Sequence, residues 1–521
     1  RHEFRQRTGD YAASLQALGV IPTDTVVIAL PPGLEAIYAF WGALRLGAVP
    51  AMFAPLTEKL DPTIYLRNLS DLAERSQVKA VLTNDDFAPS LATQINSPVY
   101  ALSAFQTQPH LDFTPSTPDP DSIAFLQHSS GTTGLQKGVA LSHRAVLNQL
   151  ASYADSLTLT ERDVVVSWLP LYHDMGLIAG FMLPLVQGIP LVLMSPFDWA
   201  RHPALLLKAI HDYRGTLCWL PNFAYNHCVR GIRERDSALL DLGSMRAFIN
   251  CSEPVRHDSH TLFAERFAVN GVTSTMLAVS YAMAENTFAV TQTIIGQTTV
   301  VDTVDAVTLQ AGLRAIPCPP DAPTAAPQVA CGAPIAGTQV KVVDADGAVL
   351  PERSVGELLI HSDCMLTGYH QRPDLAPFDA DGWYHTGDRG YVADGQVYIA
   401  GRSKDLIINA GKNLYPQDIE AIVNSVGGVH PGRAVVFGIV DANEGTELVA
   451  VVAEVDSADA VTRQQISQQI RQRVGRQTEV ALAYVSLVER GWLIKTSSGK
   501  IARSQNRDKW LAEREHDRES P

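Results

Sequence analysis

The chain has 521 residues, of which 46% are hydrophobic and 18% charged, and its formal net charge is -14. This length exceeds what one compact core supports, so we expect two or more domains. The acidic balance argues against a nucleic-acid partner. The six cysteines show no Cys-x-x-Cys spacing, which argues against a zinc site or a disulfide framework and favours reduced thiols in a cytoplasmic protein.

One uncharged stretch, Gly176 to Phe197, is long enough to cross a bilayer. Pro184, Gly188 and Pro190 interrupt it, so a single spanning helix is disfavoured. The pattern predicts instead a short helix, a turn and the strand Leu191–Met194, with no membrane insertion.

Helical and strand patterns alternate over the first 250 residues, which is typical of an α/β fold with mostly parallel sheets flanked by helices. The predicted helices are Tyr11–Leu18, Leu34–Leu46, 143–153, a helix after Met175, His202–Tyr213 and Phe223–Ile232. The predicted strands are Asp24–Leu30, Val49–Phe53, Lys79–Thr83, Val164–Trp168, Leu191–Met194, Thr216–Leu220 and Arg246–Asn250.

The pattern changes after a proline-rich stretch at 315–327, which we interpret as an exposed loop. Short strands separated by Asp-Gly or Glu-Gly turns then indicate antiparallel β structure. We expect a large N-terminal domain over 1–401, with a β-rich subdomain at about 330–401. A small mobile α+β domain is predicted over 402–521, with the boundary at 401–405.

The most informative stretch is Ser129-Ser-Gly-Thr-Thr-Gly-Leu-Gln-Lys-Gly138, which lies between a strand-like run and a helix that Ser142 is suited to cap. Glycines admit a close backbone approach, hydroxyls donate hydrogen bonds and Lys137 supplies a compact charge, so the loop suits phosphate. It is not a Walker A loop, which requires Gly, four residues and then Gly-Lys-Ser/Thr. Here Lys137 precedes its glycine, Gly138, instead of following one. The alternative is a flexible surface turn.

This loop resembles the phosphate loop of the adenylate-forming superfamily, which includes acyl-CoA synthetases, fatty acyl-AMP ligases, peptide-synthetase adenylation domains and luciferases. Other segments resemble the family in the same order along the chain. They are Trp168–Gly176, Leu220–Tyr225, Asn250–Arg256, Tyr281–Asn286, Tyr384–Gly390, Asn413–Glu420 and Lys495–Lys500. The segments at 168–176, 220–225 and 413–420 are most similar to fatty acyl-AMP ligases.

The resemblance implies an ATP site. In the family, the tyrosine at the position of Tyr281 stacks on adenine, and the aspartate at the position of Asp388 accepts hydrogen bonds from the ribose hydroxyls. A glutamate at the position of Glu285 binds Mg²⁺, as a hard oxygen ligand can; Thr133 is a second candidate ligand. The implied nucleotide-binding residues are Ser129, Ser130, Gly131, Thr132, Thr133, Gly134, Lys137, Ser252, Glu253, Pro254, Tyr281, Ala282, Asp388 and Arg402. Taken alone, without the family, Glu285 is better interpreted as a surface helix residue.

The resemblance also implies an acid pocket, walled by Trp168, His173, Asn222 and Phe223. Without the family, His173 reads as a hydrogen-bonding residue at a helix N-terminus, and Asn222 and Phe223 as the start of a helix with buried aromatics. The implied catalytic residues are Lys500, Glu285 and His173, and Lys404 falls at the position of the family's hinge.

The implied function is ATP-dependent activation of a carboxylic acid to acyl-AMP with release of pyrophosphate. We expect the acid to be a fatty acid. Transfer to the phosphopantetheine thiol of an acyl carrier protein or carrier domain would follow. One alternative is an acyl-CoA synthetase, and another is a non-catalytic nucleotide-binding homologue. The 46 residues between Glu285 and Gly332 are a long connection. In the resemblance this length favours fatty acyl-AMP ligases, which carry an extra segment that hampers movement of the enzyme to a CoA-using state.

Overall fold

The computed structural model describes residues 2–56, 62–106, 113–128, 137–312, 314–409, 412–441, 446–478, 480–496 and 499–519. The predicted phosphate loop at 129–136 lies outside them. Most predicted helices and strands are present with ends shifted by one to three residues, and Leu34–Leu46 has the predicted bounds.

The strands, in chain order, are β1 Thr25–Ala29, β2 Val49–Met52, β3 Ala80–Thr83, β4 Val99–Ala101, β5 Ile123–His128, β6 Gly138–Ser142, β7 Val165–Ser167, β8 Leu191–Leu193, β9 Leu217–Leu220, β10 Ala247–Asn250, β11 Leu277–Ala282, β12 Ala289–Gln292, β13 Val301–Asp305, β14 Ala325–Val329, β15 Ala333–Pro334, β16 Thr338–Val343, β17 Gly356–Ser362, β18 Gly368–Tyr369, β19 Tyr384–Ala393, β20 Gln396–Arg402, β21 Ile407–Asn409, β22 Lys412–Leu414, β23 Val429–Asp441, β24 Thr446–Val455 and β25 Leu482–Val488.

The helices are α1 His2–Ala17, α2 Leu34–Leu46, α3 Pro62–Arg75, α4 Ala88–Ala92, α5 Ser103–Gln106, α6 His143–Ser156, α7 Leu183–Gln187, α8 Pro196–Arg201, α9 Ala204–Tyr213, α10 Asn222–Gly231, α11 Glu234–Ser237, α12 His257–Phe267, α13 Ala306–Gln310, α14 Pro416–Asn424, α15 Ala460–Thr478 and α16 Arg503–Glu519. A π-helix covers Met175–Met182, and 3₁₀ turns cover Ala268–Asn270, Ser274–Met276, Ala284–Asn286 and Ser403–Asp405.

Two seven-stranded sheets form the large part of the chain. Their strand orders are β4-β3-β1-β2-β5-β6-β18 and β8-β7-β9-β10-β11-β12-β15. In each, five neighbouring strands run parallel and a hairpin then adds antiparallel strands at one edge, β5–β6 in the first sheet and β11–β12 in the second. Parallel strands that are covered by helices on both faces have continuous apolar sequences, because both of their faces are buried. Strand β1 is wholly buried in this way. The prediction of mostly parallel sheets with helices is confirmed.

Smaller sheets complete the fold. Strands β16, β17, β19 and β20 form an antiparallel sheet, and β13 pairs with β14. Beyond the 3₁₀ turn Ser403–Asp405, strands β23, β24 and β25 form a sheet that packs with α14, α15 and α16. The apolar side chains of this C-terminal region, hereafter the small region, form two clusters of their own within residues 407–511.

Several local predictions differ from the structure. The first helix begins at His2 rather than at Tyr11. The predicted phosphate loop does not lead directly into a helix, because β6 lies between them and pairs with β5. The proline-rich stretch is not wholly loop, since its end forms β14 against β13. The helix after Met175 is a π-helix. Among the described residues, no helix combines the length and apolar character that a membrane crossing requires.

Candidate active site

A cleft of about 2930 Å³ lies between the large part of the chain and the small region. Every predicted site residue that the structure describes lines it. These residues are Lys137, Trp168, His173, Asn222, Phe223, Ser252, Glu253, Pro254, Tyr281, Ala282, Glu285, Asp388, Arg402, Lys404 and Lys500. The remaining predicted residues, Ser129, Ser130, Gly131, Thr132, Thr133 and Gly134, lie outside the described parts of the chain.

The two edge hairpins place a cation and a carboxylate on the cleft. Lys137 immediately precedes β6 in the first hairpin, and Glu285 lies on the 3₁₀ turn between β11 and β12 in the second. The alternative that Glu285 is a surface helix residue is therefore wrong: it sits on a partly buried turn that faces the cleft. Burial raises the pKa of its carboxyl, and the charge of Asp174 adds to that effect.

Tyr369, which the sequence analysis missed, connects these two groups. Its ring centroid lies 4.7 Å from Lys137 Nζ, and its hydroxyl donates to Glu285 Oε1 at 3.3 Å. The hydroxyl also lies 3.1 Å from that of Tyr384. Tyr369 belongs to β18, which pairs with β6 and so brings a residue 232 positions away in sequence beside Lys137. Strand β18 consists of Gly368 and Tyr369 alone, which is too short for a sequence pattern to reveal it.

Asp388 is held from two sides. Tyr281 Oη donates to Asp388 Oδ2 at 2.6 Å, and Arg402 Nε donates to Oδ1 at 3.2 Å. The antiparallel register of β19 and β20 sets Asp388 directly opposite Arg402. This pairing brings the two side chains into contact although they are separated in sequence. The side chain of Asp388 is only 10% exposed, so its carboxylate has a fixed position on the cleft wall.

His173 lies immediately before the residue that caps the π-helix, and among the described residues its buried Nε2 has no hydrogen-bond partner. Asp174 is the N-cap of the π-helix, and its Oδ1 accepts from Met175 N at 2.7 Å. Burial, together with the nearby charge of Lys500, lowers the pKa of His173 to about 3. A neutral imidazole therefore lies beside Lys500 at the cleft.

Lys500 reaches the cleft from a tight turn in the small region. Within that turn Gly499 N donates to Thr496 O at 2.8 Å, and Thr496 N donates to Lys500 O at 2.7 Å. Lys500, His173 and Asp174 line the same cleft, and the charge of Lys500 opposes the burial that raises the pKa of Asp174. The predicted hinge residue, Lys404, lies on the 3₁₀ turn that leads from β20 into the small region.

Aromatic side chains form one wall of the cleft. The indoles of Trp168 and Trp199 stack with centroids 3.6 Å apart and planes 11° from parallel. The ring of Phe223 meets both at its edge, with centroid distances of 6.2 Å, and it is 42% exposed, toward the cleft that it lines. Trp168 and Trp199 are buried, so Phe223 supplies most of the apolar surface that this wall offers to a substrate.

Asn222 supports the wall through hydrogen bonds. Its Nδ2 donates to Ser259 Oγ at 3.1 Å, and its Oδ1 accepts from Asn250 Nδ2 at 3.1 Å and from Arg256 N at 3.0 Å. Glu253 caps the same helix, since its Oε2 accepts from Phe223 N at 2.9 Å. These bonds fix the 250–256 turn against α10.

The residues on the cleft fit a magnesium ion that is shared with phosphate groups. No cluster of three or more acidic, histidine or cysteine ligands occurs among the residues that the structure describes. Mg²⁺ in phosphate-transfer sites needs only one or two carboxylates in addition to phosphate oxygens. Glu285, buried and facing Lys137 across Tyr369, can supply one.

Comparisons with known proteins agree with this geometry. A family model described as AMP-binding enzyme matches residues 2–370. The medium-chain-fatty-acid–[acyl-carrier-protein] ligase JamA of Moorena producens is 32% identical over 94% of this chain and 86% of its own length. The long-chain-fatty-acid–AMP ligase FadD26 of Mycobacterium marinum is 32% identical over 93% of this chain and 86% of its own length.

A solved structure from a study of fatty acyl-adenylate ligases from E. coli and L. pneumophila has the same architecture. It superposes with a TM-score of 0.91 at 29% sequence identity, covering 99% of this chain and 92% of the solved one. The similarity therefore extends over both the large part of the chain and the small region.

Proposed function

Because the chain belongs to the AMP-binding enzyme family, we propose that it activates a carboxylic acid with ATP, forming acyl-AMP and releasing pyrophosphate. The observation that carries the proposal is the single cleft that gathers Lys137, Glu285 and Asp388 from the large part of the chain and Lys500 from the small region. Such a set can hold a nucleotide at several points while a mobile cation reaches the reacting groups.

The nucleotide is held by groups of matching chemistry. The Asp388 carboxylate accepts hydrogen bonds from the ribose hydroxyls, and the flat ring of Tyr281 lies next to it to meet the adenine face. Arg402 fixes Asp388 and adds positive charge. Lys137 and the 129–134 loop bind the β- and γ-phosphates, and Ser252 and Pro254 line the same cleft as Lys137.

In the reaction, a carboxylate oxygen of the acid attacks the α-phosphorus of ATP, and the bond to the bridging oxygen of pyrophosphate breaks. Negative groups must approach one another, so charge neutralisation and positioning account for most of the rate. Lys500 contacts the incoming carboxylate and the α-phosphate. His173, neutral beside it, orients the acid without adding a competing positive charge.

Bound Mg²⁺ would offset the charge of the phosphates, with Glu285 and Thr133 as its protein ligands. Tyr369 orients Glu285 through the hydrogen bond to Oε1 and supports Lys137 with its ring. These protein groups thus hold the triphosphate end of ATP in place.

A fatty acid is the substrate class that the cleft supports best. The wall formed by Trp168, Trp199 and Phe223 is apolar and aromatic, and the relatives' names specify medium-chain and long-chain fatty acids. An apolar chain gains free energy by leaving water for such a wall.

The acceptor that follows best is the phosphopantetheine thiol of a carrier protein or carrier domain. One relative is named as an acyl-carrier-protein ligase. The segment between Glu285 and Gly332 folds as the β13–β14 hairpin with α13, and α13 contacts β22 of the small region. We propose that this proximity hinders movement of the small region to a CoA-using arrangement.

The test supplies enzyme, ATP, Mg²⁺ and acids of graded chain length, and measures pyrophosphate release before adding either CoA or a holo carrier protein. We expect acid-dependent release with medium or long chains and thioester on the carrier. Thioester formation with CoA at a comparable rate would instead assign the chain as an acyl-CoA synthetase. No acid-dependent release at any chain length would overturn the enzyme proposal.

A further inference from the structure

Arg256 joins the large part of the chain to the small region. Its Nη2 donates to the backbone carbonyl of Gln417 at 2.6 Å and lies 3.4 Å from the carboxylate of Asp418. Both partners belong to the first turn of α14. One side chain therefore spans the cleft's edge with a charged, directional contact.

The base of Arg256 is fixed to the wall of the cleft. Its backbone N–H donates to Asn222 Oδ1, the same oxygen that accepts from Asn250 Nδ2. Because Asn222 is the first residue of α10, the position of Arg256 is set by the helix whose next residue, Phe223, faces the cleft.

The partner helix α14 is coupled to the segment that carries Lys500. Arg503 lies three residues after Lys500, and its guanidinium contacts both Glu420 of α14 and Asp405 of the 3₁₀ turn at 2.8 Å. Arg503 is well buried, with a side chain only 19% exposed. Any contact that fixes α14 therefore also fixes the turn that presents Lys500.

We propose that Arg256 is a positioning residue that holds the small region in the orientation bringing Lys500 to the cleft. The inference rests on the proposed adenylation reaction and assigns it a residue outside the nucleotide and acid contacts. The side chains of Arg256 and Asp418 are 37% and 43% exposed, so their interaction is modest. A modest interaction still shifts an equilibrium between two orientations several-fold.

The test compares R256Q, D418N and the double variant in two half-reactions: acid-dependent ATP–pyrophosphate exchange, and acyl transfer from preformed acyl-AMP to the thiol acceptor. We expect R256Q to lower kcat of exchange about five- to tenfold while KM for ATP and the transfer rate stay within about twofold. R256Q removes both contacts of Arg256, whereas D418N removes only the ion pair. The double variant should therefore be no slower than R256Q, because R256Q already removes the contact that D418N breaks. R256K should recover part of the loss.

A matched control is R214Q, which breaks an Arg–Asp pair of 2.7 Å with Asp241 within the large part of the chain and should change neither half-reaction. Equal losses in both half-reactions, or a rise in KM for ATP alone, would overturn the proposal, since the first indicates a structural defect and the second a direct nucleotide contact.

A second readout needs no substrate and so separates this inference from the enzyme proposal. Hydrogen exchange of the 250–260 and 416–424 segments should speed up in R256Q relative to wild type and R214Q, while exchange in the β23–β24 core stays unchanged. Unchanged exchange at both segments would overturn the positioning role, whether or not the wild-type chain forms acyl-AMP.

Discussion

The ring of Tyr369 lies 4.7 Å from the ammonium group of Lys137, and the hydroxyl of the same residue donates to Glu285. One side chain thus sets the spacing between the cation of the first edge hairpin and the carboxylate of the second. Pairing of β18 with β6 places Tyr369 beside Lys137, and its hydroxyl then reaches the turn between β11 and β12 in the second sheet.

Separating the two contacts of Tyr369 tests this arrangement. Y369F keeps the ring beneath Lys137 and loses the hydroxyl contact, so we expect kcat for acid-dependent exchange to fall about three- to fivefold. Y369L also removes the cation–π contact and should raise KM for ATP by a further factor of about three to ten. Steady-state exchange kinetics measure both. Y213F, at a residue 60% exposed, is the control and should match wild type.

Asp388 should control nucleotide affinity. D388N removes the charge that Tyr281 and Arg402 hold in place, so KM for ATP should rise about 10- to 100-fold. Y281F keeps the ring and loses only one hydrogen bond, and its effect should be smaller. D394N, in the same β19–β20 hairpin but with a side chain 88% exposed, is the matched control. An unchanged KM in D388N would contradict the ribose assignment.

His173 should make the protein less stable in acid. Its native pKa is about 3 because it is buried and lies near Lys500, whereas an unfolded histidine has a pKa of about 6.5. The unfolded state therefore binds more protons as pH falls below about 6.5, and the native state loses stability down to about pH 3.

Replacing His173 should remove the part of the loss of unfolding free energy at low pH that its protonation causes. Between pH 7 and pH 5, H173N should lose roughly 1–2 kcal/mol less unfolding free energy than wild type, measured by urea denaturation at both pH values. H202N, at an exposed histidine, should behave as wild type. Equal pH dependence in wild type and H173N would show that His173 is not held neutral.

Gly332 is the glycine whose substitution should cost the most stability. It has φ +95°, and a Cβ there would lie 2.1 Å from the backbone carbon of Gln292 in β12. G332A should lower the unfolding free energy by more than about 3 kcal/mol. G296A has a similar φ of +83° but no atom within 4 Å of the added carbon, and should cost about 1 kcal/mol. Thermal and urea unfolding distinguish the two; similar losses would contradict the packing argument.

Local features of the site could be predicted from the sequence, whereas its long-range contacts could not. Ser142 caps α6 as predicted, with its Oγ accepting from Ala145 N at 3.1 Å, because capping depends on neighbouring residues alone. Strand β6 was missed because its short apolar run has no distinguishing period. Tyr369 and Arg256 were missed because the contacts that suggest their roles, with Lys137 and Glu285 and with the first turn of α14, join residues more than 80 positions apart. Only the sheet order and the packing of the small region bring these residues together.

Family motifs identified Asp388 and Arg402 as separate candidates, and the structure adds their relationship. The register of β19 and β20 makes them direct cross-strand partners. The sequence could not give this register, because the pairing includes an irregularity between Arg389 and Gly390.

The central claim is that Lys500 promotes formation of acyl-AMP in the cleft between the two parts of the chain. The most direct measurement is acid-dependent ATP–pyrophosphate exchange by wild type and K500A, with a fatty acid that the wild-type enzyme accepts. K208A, at an exposed lysine of α9, serves as control. We expect K500A to lose at least about 100-fold in kcat while K208A keeps the wild-type rate; exchange by K500A at the wild-type rate would contradict the account.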